Sequence, residues 1–510
     1  MSAVCRRLSH GVCALVLLKV ESMDLLGSTN PFDMSDTDRF HEECGVFGVF
    51  GSDEASILTA LGLHALQHRG QEAAGIVTYD GSAFHAHRAL GHVGENFGAD
   101  SDQMRQLRGH VAIGHNRYST SGNVNPYMEI QPFSSELAFG GFALAHNGNL
   151  TNATRLRASL IETGSLFQSS SDTEVIVHLV ARSHQENVTD RLIDALSQIG
   201  GAYSVVCVAN GMLVGVRDPY GVRPLILGQR DDTWLLASES CALDIVGATP
   251  VRELTPGEMV IIDKNGLQSL SPFSPMPSRF CIFEYIYFSR PDSVVEGRGV
   301  YHARKSIGGE LSRESGIDAD LVIPVPDSGV PAALGYAETS GIPFDLGIIR
   351  NHYVGRTFIQ PNQKDRTDSV KLKHNANPAA VSGKRIILVD DSIVRGTTSR
   401  KIVSMMRNAG AAEVHMRIAS PPTTHPCFYG VDTPSRDHLI AAQMSVDEIA
   451  AEIGADSLSF ISVNGLYRAI ADAKRQPDAP QFCDACFTGE YPIQLAAGLS
   501  ANKVSHGSSR

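Results

Sequence analysis

The sequence predicts two joined folds: an α+β half of layered sheets with covering helices, then an α/β half built on a parallel sheet. Three observations carry this. From Cys44 to about Ile262, short apolar runs are separated by Gly, Asn and Pro, the pattern of buried strands bounded by turns. A Pro- and Ser-rich patch, Ser271–Ser278, then marks a change of domain. After it, apolar strands alternate with helices, which indicates a parallel sheet.

Taken in order, the first half offers strands at Cys44–Phe50, Val111–His115, Phe142–His146, Tyr203–Val208 and Trp234–Ser238, with helices at Ala55–His68 and Glu174–Gln185. The second offers strands at Leu321–Pro326, Arg385–Val389 and Val414–Ile418. Its helices are Val330–Thr339 and Thr398–Asn408, the latter ending at Gly410. Sequence after about Leu495 reads as a frayed tail, and no internal repeat is present.

Composition narrows the function. A chain of 510 residues, 43% hydrophobic and 19% charged, has material for two or three packed domains. A net charge of -12 argues against nonspecific nucleic-acid binding, which draws its affinity from Lys and Arg on phosphates. Local basic clusters can still hold a phosphorylated small molecule. No apolar run reaches the ~18 residues that span a bilayer. Nine sparse cysteines, an odd number in a long chain, suit a reduced compartment with metal-binding or catalytic thiols. At the N-terminus, Arg6 and Arg7 precede an apolar stretch, Val12–Leu18, that imitates a signal peptide. Lys19 breaks it and no small-x-small site follows promptly; a disordered pro-segment, or a start at Met23 or Met34, are the other readings.

The most informative segment is Arg385–Ser399, RIILVDDSIVRGTTS. An apolar strand delivers Asp390 and Asp391 to its carboxyl end, where open α/β sheets bind ligands. These acids can engage ribose hydroxyls and a Mg²⁺ that accompanies pyrophosphate. Ser392 and the loop Arg395-Gly396-Thr397-Thr398 follow; Gly396 permits close backbone approach, and amides at a helix start suit a phosphate. The segment closely resembles the phosphoribosyl pyrophosphate (PRPP) signature of type I phosphoribosyltransferases. By that resemblance, Val325–Gly329 is a pyrophosphate loop and Ser328 joins Asp390 and Asp391 around the Mg²⁺. The basic, polar stretch Arg350–Lys373 reads by itself as a solvated loop; by resemblance it is the flexible loop that closes over PRPP and excludes water.

Cys44-Gly45-Val46-Phe47-Gly48 begins an apolar strand, and alone it reads as a buried structural cysteine. Further on stand Leu66–Glu72, His115–Thr120, His146–Leu150 and Ser171–Glu174. Together these segments resemble the N-terminal-nucleophile glutamine amidotransferases. The resemblance implies an αββα glutaminase domain in which Cys44 becomes the amino-terminal nucleophile after removal of the preceding residues. Asn147 and the amide of Gly148 would form the oxyanion hole. Arg117 would hold the α-carboxylate of glutamine and Asp172 its α-ammonium, with Arg69 either a further glutamine contact or a structural residue.

Cys281, Cys427, Cys483 and Cys486 remain. Cys483-Asp484-Ala485-Cys486 could be a redox pair, half a metal site or chance, and four cysteines alone suggest Zn²⁺. Their contexts, FCIFEYIYFSRPDS, HPCFYGVD and FCDACFTGEYP, resemble the amidophosphoribosyltransferases that carry a [4Fe–4S] cluster and a cleaved pro-segment. Cys5, Cys13, Cys207 and Cys241 read as unligated thiols.

This last resemblance runs from about Cys44 to Pro492. It implies a leader at 1–43 (longer than is typical of the family), a glutaminase domain at 44–275, a phosphoribosyltransferase domain at 276–495 with the cluster, and a tail at 496–510. It further implies ammonia transfer from glutamine to PRPP in purine synthesis, inhibition by purine nucleotides, a homotetramer and a cytoplasmic location. Either half alone would leave other enzymes open, because similar halves serve glucosamine-6-phosphate synthase, asparagine synthetase and nucleobase salvage. Two rivals are a PRPP-binding regulator without catalysis and a redox sensor built on the cluster.

Overall fold

The computed structural model describes residues 41–42, 44–98, 101–118, 126–350 and 374–495. In the first half, two antiparallel sheets lie face to face. The seven-stranded sheet runs, edge to edge, Thr249–Glu253, Ile226–Arg230, Thr233–Ala237, Gly45–Phe50, Val111–Arg117, Ala73–Tyr79 and Phe84–Leu90. The six-stranded sheet runs Gly266–Leu270, Met259–Asp263, Met212–Arg217, Gly201–Ala209, Gly140–Leu150 and Phe133–Leu137.

Side-chain alternation along a strand explains the layers. Val46 points between the sheets with Ile113, Ala143, Val206, Leu213 and Val260. Its neighbour Phe47 points outward, under the helix Ala55–Ala65, with Leu58 and Leu63. On the far side, Leu144 and Val205 meet Val175, Ile176 and Leu192 of the helices Asp172–Arg182 and Val188–Gln198. Both faces of the central strands are therefore dry, which is why they read as continuous apolar runs. The order is helix, sheet, sheet, helix.

The helix expected to reach His68 ends at Ala65. The chain must turn there, because Gly70 lies against the Asn116–Arg117 backbone; a Cβ at Gly70 would stand 2.7 Å from the Arg117 carbonyl carbon. No regular element spans Ser271–Ser278.

The second half carries a four-stranded parallel sheet in the order Leu321–Pro324, Arg385–Asp390, Glu413–Ile418, Ser457–Phe460. Ile387 and Val389 face Ile307 and Leu311 on one side. Ile386 and Leu388 face Ile402, Val403 and Met406 on the other. The helices Val300–Ser315 and Val330–Ser340 touch backbone to backbone. A Cβ at Gly308 would fall 1.8 Å from the Ala332 oxygen, and one at Gly335 1.8 Å from the Lys305 oxygen.

The two halves are joined by a buried row of alternating charges. Glu239 bonds His68 at 2.6 Å and also the Arg69 guanidinium. Arg69 reaches Glu284 at 2.6 Å, and Glu284 pairs with Arg223 at 3.1 Å. Arg69, Arg223, Glu239 and Glu284 are all 0% exposed. Burial alone would raise the Glu239 carboxyl, but Arg69 and His68 hold it well below the usual range. Removing one member strands an uncompensated buried charge. Glu284→Ala should therefore lower unfolding stability by about 3–5 kcal/mol. Chemical denaturation checks this, and a loss under about 1 kcal/mol would reduce the row to the worth of surface pairs.

Candidate active sites

Cys44 precedes the central strand Gly45–Phe50, and its φ of +66° lies in the left-handed region. Gly45 is opposite Asn116, and Phe47 is opposite Ala237. Just beyond Ala237, Ser238 ties the strand Gly45–Phe50 to the second sheet. Its Oγ accepts from the Val46 amide at 3.0 Å and lies 3.5 Å from Asn147 Nδ2. Ser238 N–H in turn donates to the Val46 oxygen at 3.1 Å. Sequence reasoning missed Ser238, because a lone serine at a strand end carries no pattern.

Asn147 is 0% exposed, and its Oδ1 has no hydrogen-bond partner among the described residues. Gly148 follows with φ +141°, and a Cβ there would stand 2.1 Å from the Ala202 oxygen. Only glycine lets the strand pass. Asp172 opens the helix Asp172–Arg182, and its Oδ2 accepts from the Leu150 amide at 2.9 Å, so it is fixed beside the Asn147–Gly148 strand. Thr173 Oγ1 bonds His146 Nδ1 at 3.1 Å.

Arg117 and Asp172 are linked by two buried histidines. His115 is pushed down to about 3, by burial first and then by Arg117 and His146. His146 is also lowered by burial, against the opposing pull of Asp172. Both rings are neutral at working pH and neither can act as a cationic acid.

Arg69 does not join this group. Its guanidinium lies in the buried row with Glu239 and Glu284, and Ser289 Oγ is 3.4 Å away. Of the two readings of Arg69, a glutamine contact or a structural residue, its burial between two carboxylates favours the structural one.

In the second half, strand Arg385–Asp390 extends one residue beyond its expected end, with Asp390 opposite Ile418. Asp391 lies just past it. Both acids are 3% exposed. Asp390 Oδ1 accepts from the Asp391 amide at 2.9 Å, and Asp391 Oδ1 from Ser392 Oγ at 2.6 Å. Ser328 donates a short hydrogen bond to Asp391 Oδ2, so the loop Val325–Gly329 and the Asp-Asp pair meet directly. Gly329 permits this: a Cβ there would be 2.4 Å from the Val389 oxygen.

Gly396, at φ +79°, turns the chain into the helix Thr397–Asn408. Arg395 is half-buried, Thr398 buried and Thr397 exposed. Residues 351–373 of the expected closing loop lie outside the described residues; Arg350 pairs with Asp327 of the opposite loop.

The four remaining cysteines converge. Phe280–Cys281 and Phe482–Cys483 form a parallel pair with Cys281 opposite Cys483. Cys281, Cys427, Cys483 and Cys486 line one cavity with Phe283, Tyr429 and Tyr491. None is disulfide-bonded. Burial pushes Cys281 up to about 12, and it raises Cys483 and Cys486 well above the ordinary thiol range, with the neighbouring thiols adding to the shift. Among the described residues no group of three or more His, Cys, Asp or Glu closes tightly enough for a single metal ion. The convergence is the looser one of four thiols around a shared, mainly apolar cavity. Cys207 and Cys241 are buried elsewhere, Cys207 pushed up to about 12 by desolvation.

Among the described residues no helix is long and apolar enough to cross a membrane. Residues 115–244 match the glutamine amidotransferase domain family, and residues 293–419 match the phosphoribosyl transferase domain family. The chain is 55% identical to the amidophosphoribosyltransferase of Rhizobium etli, over 91% of this chain and 94% of the relative. It is 50% identical to the Bacillus subtilis enzyme, over 89% and 95%. Two solved structures superpose along most of the chain. Glutamine PRPP amidotransferase from B. subtilis, complexed with ADP and GMP, has a TM-score of 0.84 at 49% identity, covering 90% of this chain and 99% of that one. A structure described as the allosteric regulatory enzyme of purine biosynthesis has a TM-score of 0.85 at 49% identity, covering 90% and 98%.

Proposed function

Because the chain belongs to the amidophosphoribosyltransferase family, we propose that its two sites divide the reaction between Cys44 and the Asp390–Asp391 loop. The family reaction converts glutamine, PRPP and water to 5-phosphoribosylamine, glutamate and pyrophosphate, the first step of purine synthesis. One observation carries the division of labour: Ser238 couples the Cys44 strand to Asn147 in one half, while Ser328 and Asp391 meet in the other.

In the first half the Cys44 thiolate attacks the glutamine side-chain amide, with its own α-amine as the base. Asn147 Nδ2 and the Gly148 amide take the developing oxyanion. Arg117 and Asp172 orient the substrate by its carboxylate and ammonium. The C–N bond breaks, ammonia leaves for the second site, and water hydrolyses the glutamyl thioester. A free α-amine requires cleavage after Glu43. In the intact chain Cys44 is a non-glycine residue at φ +66°, a conformation that costs on the order of 1–3 kcal/mol. Cleavage removes that dihedral and its strain. An intact mass beginning before Cys44 in fully active enzyme would sink the processing claim.

In the second half the ammonia lone pair forms a bond to C1 of PRPP and the C1–pyrophosphate bond breaks. Asp390 and Asp391 hold the ribose hydroxyls, and the amides of Gly396–Thr398, with Arg395 and Ser392 beside them, hold the 5-phosphate. Ser328, Asp390 and Asp391 would hold Mg²⁺, which when bound neutralises charge on the departing pyrophosphate. The four convergent cysteines, Cys281 and Cys483 buried and Cys427 and Cys486 half-buried, fit a [4Fe–4S] cluster, a thiolate-held staple between the segments around Cys281, Cys427 and Cys483–Cys486. Iron and acid-labile sulfide near ~4 each per chain in anaerobic protein are expected from such a cluster; stoichiometric zinc without sulfide would reject it.

The domain limits 44–275 and 276–495, a homotetramer and a cytoplasmic location complete the reading, together with inhibition by purine nucleotides, which alone draws support from the likeness to the ADP- and GMP-bound relative. The whole is tested by PRPP-dependent pyrophosphate release with Mg²⁺. Both glutamine and free ammonia should serve as nitrogen source. Release with neither, from processed protein, would favour the non-catalytic PRPP-binding reading.

A further inference from the structure

Gly148 occupies a backbone conformation that its own sterics do not enforce, since glycine populates positive and negative φ alike. An oxyanion-hole donor must nonetheless sit about 2.7–3.1 Å from the developing charge. Pairing with Tyr203 of the neighbouring strand holds one side of Gly148, and a contact on its other side can complete the fixing.

The loop Cys427–Asp432 belongs by chain position to the second half, yet it lies against this strand. Asn149 Nδ2 donates to the Phe428 oxygen at 2.9 Å. Gly430, at φ +104°, sits so close that a Cβ there would stand 3.0 Å from the Gly148 Cα and 3.0 Å from Arg223 Nη2. That same Nη2 donates a short hydrogen bond to the Gly430 oxygen. Arg223 is itself held by Glu284 through Nη1 at 3.1 Å.

The loop is rigid on its other side. Phe428 and Tyr429 are buried in the core of the second half, and Phe428 packs edge-on against Tyr491 with ring centroids 5.1 Å apart. The Cys427 amide donates to Thr433 Oγ1 at 2.7 Å.

We infer that Gly430, clamped by Arg223 and Glu284, is a positioning residue for glutamine hydrolysis, and that the phosphoribosyltransferase half thereby supplies the rear wall of the oxyanion hole. This rests on the reading of Asn147 and Gly148 as that hole. Gly430 touches neither substrate; it sets where the Gly148 amide points. A displacement of about 1 Å in such a group costs on the order of 10²-fold in rate. The brace acts on the transition state, so it bears on kcat for glutamine rather than on KM.

The test uses the full-length processed enzyme carrying Gly430→Ala, whose Cβ pushes on the Gly148 Cα. Glutamine-dependent kcat should fall roughly 10- to 100-fold, with KM for glutamine little changed and ammonia-dependent activity intact. Arg223→Lys, which cannot bridge Glu284 and the Gly430 oxygen together, should move the same parameter. Normal glutamine kcat in Gly430→Ala, or equal losses with glutamine and ammonia, would overturn the inference. If Gly430→Ala does not fold, Asn149→Ala decides, since it removes only the donor to Phe428; an unchanged glutamine kcat there overturns the brace. Asn147→Ala separates the two levels. If it keeps full glutamine turnover, the oxyanion-hole reading itself falls. If it is inactive with glutamine while Gly430→Ala is normal, only the brace falls.

Discussion

Cys44→Ala should cost on the order of 10³-fold or more in glutamine-dependent phosphoribosylamine synthesis and leave synthesis from free ammonia unchanged. The sulfur is the only heavy atom removed, and in the proposed reaction it is the atom that bonds covalently to substrate, a role an alanine methyl cannot take. The fold should survive, because Cys44 stands before the first residue of the strand, whose apolar packing rests on Val46, Phe47 and Val49. Pyrophosphate release measured side by side with the two nitrogen sources checks this. Equal loss with both would mean that Cys44 supports the structure rather than the chemistry.

The complementary result is expected from Asp391→Asn: a loss of about 10²- to 10³-fold with glutamine and ammonia alike. Asp391 is 3% exposed and accepts from both Ser328 and Ser392, so one carboxylate holds the pyrophosphate loop and the strand end together. An amide presents one acceptor and one donor where two acceptors are needed, and it removes a charge that a divalent cation requires. Binding of PRPP with Mg²⁺, followed by calorimetry, should weaken in parallel, while glutamine hydrolysis by Cys44 persists at its basal rate. Full activity in Asp391→Asn would shift the metal-binding role to Asp390.

The two variants fail in different ways because the sites are chemically independent, but the segments between them are shared. Glu284 stands three residues after Cys281, and Gly430 three after Cys427. Both feed into Arg223, which faces the strand of Asn147 and Gly148. A change at either cysteine segment is therefore felt at the glutaminase site through backbone and ion pairs.

Much of this protein is written locally in its sequence. The layered half and the parallel half are legible because strands buried on both faces must be continuously apolar, as Gly45–Phe50 and Arg385–Asp390 are. The Asp-Asp strand end and its Gly-Thr-Thr helix start are legible for a related reason: consecutive residues carry the whole device. Only the tertiary structure decided what depends on partners distant in sequence. Arg69 sits in a conspicuous polar segment, yet its ion-pair partner Glu284 stands 215 residues later. Ser238 links the Cys44 strand to Asn147 across two sheets. Gly430 reads as an ordinary turn glycine until Gly148 and Arg223 are found within 3.0 Å of where its Cβ would be. Periodicity records which face of a strand or helix is dry. It carries no information about which charged group answers another across a domain boundary, because that choice is made by packing.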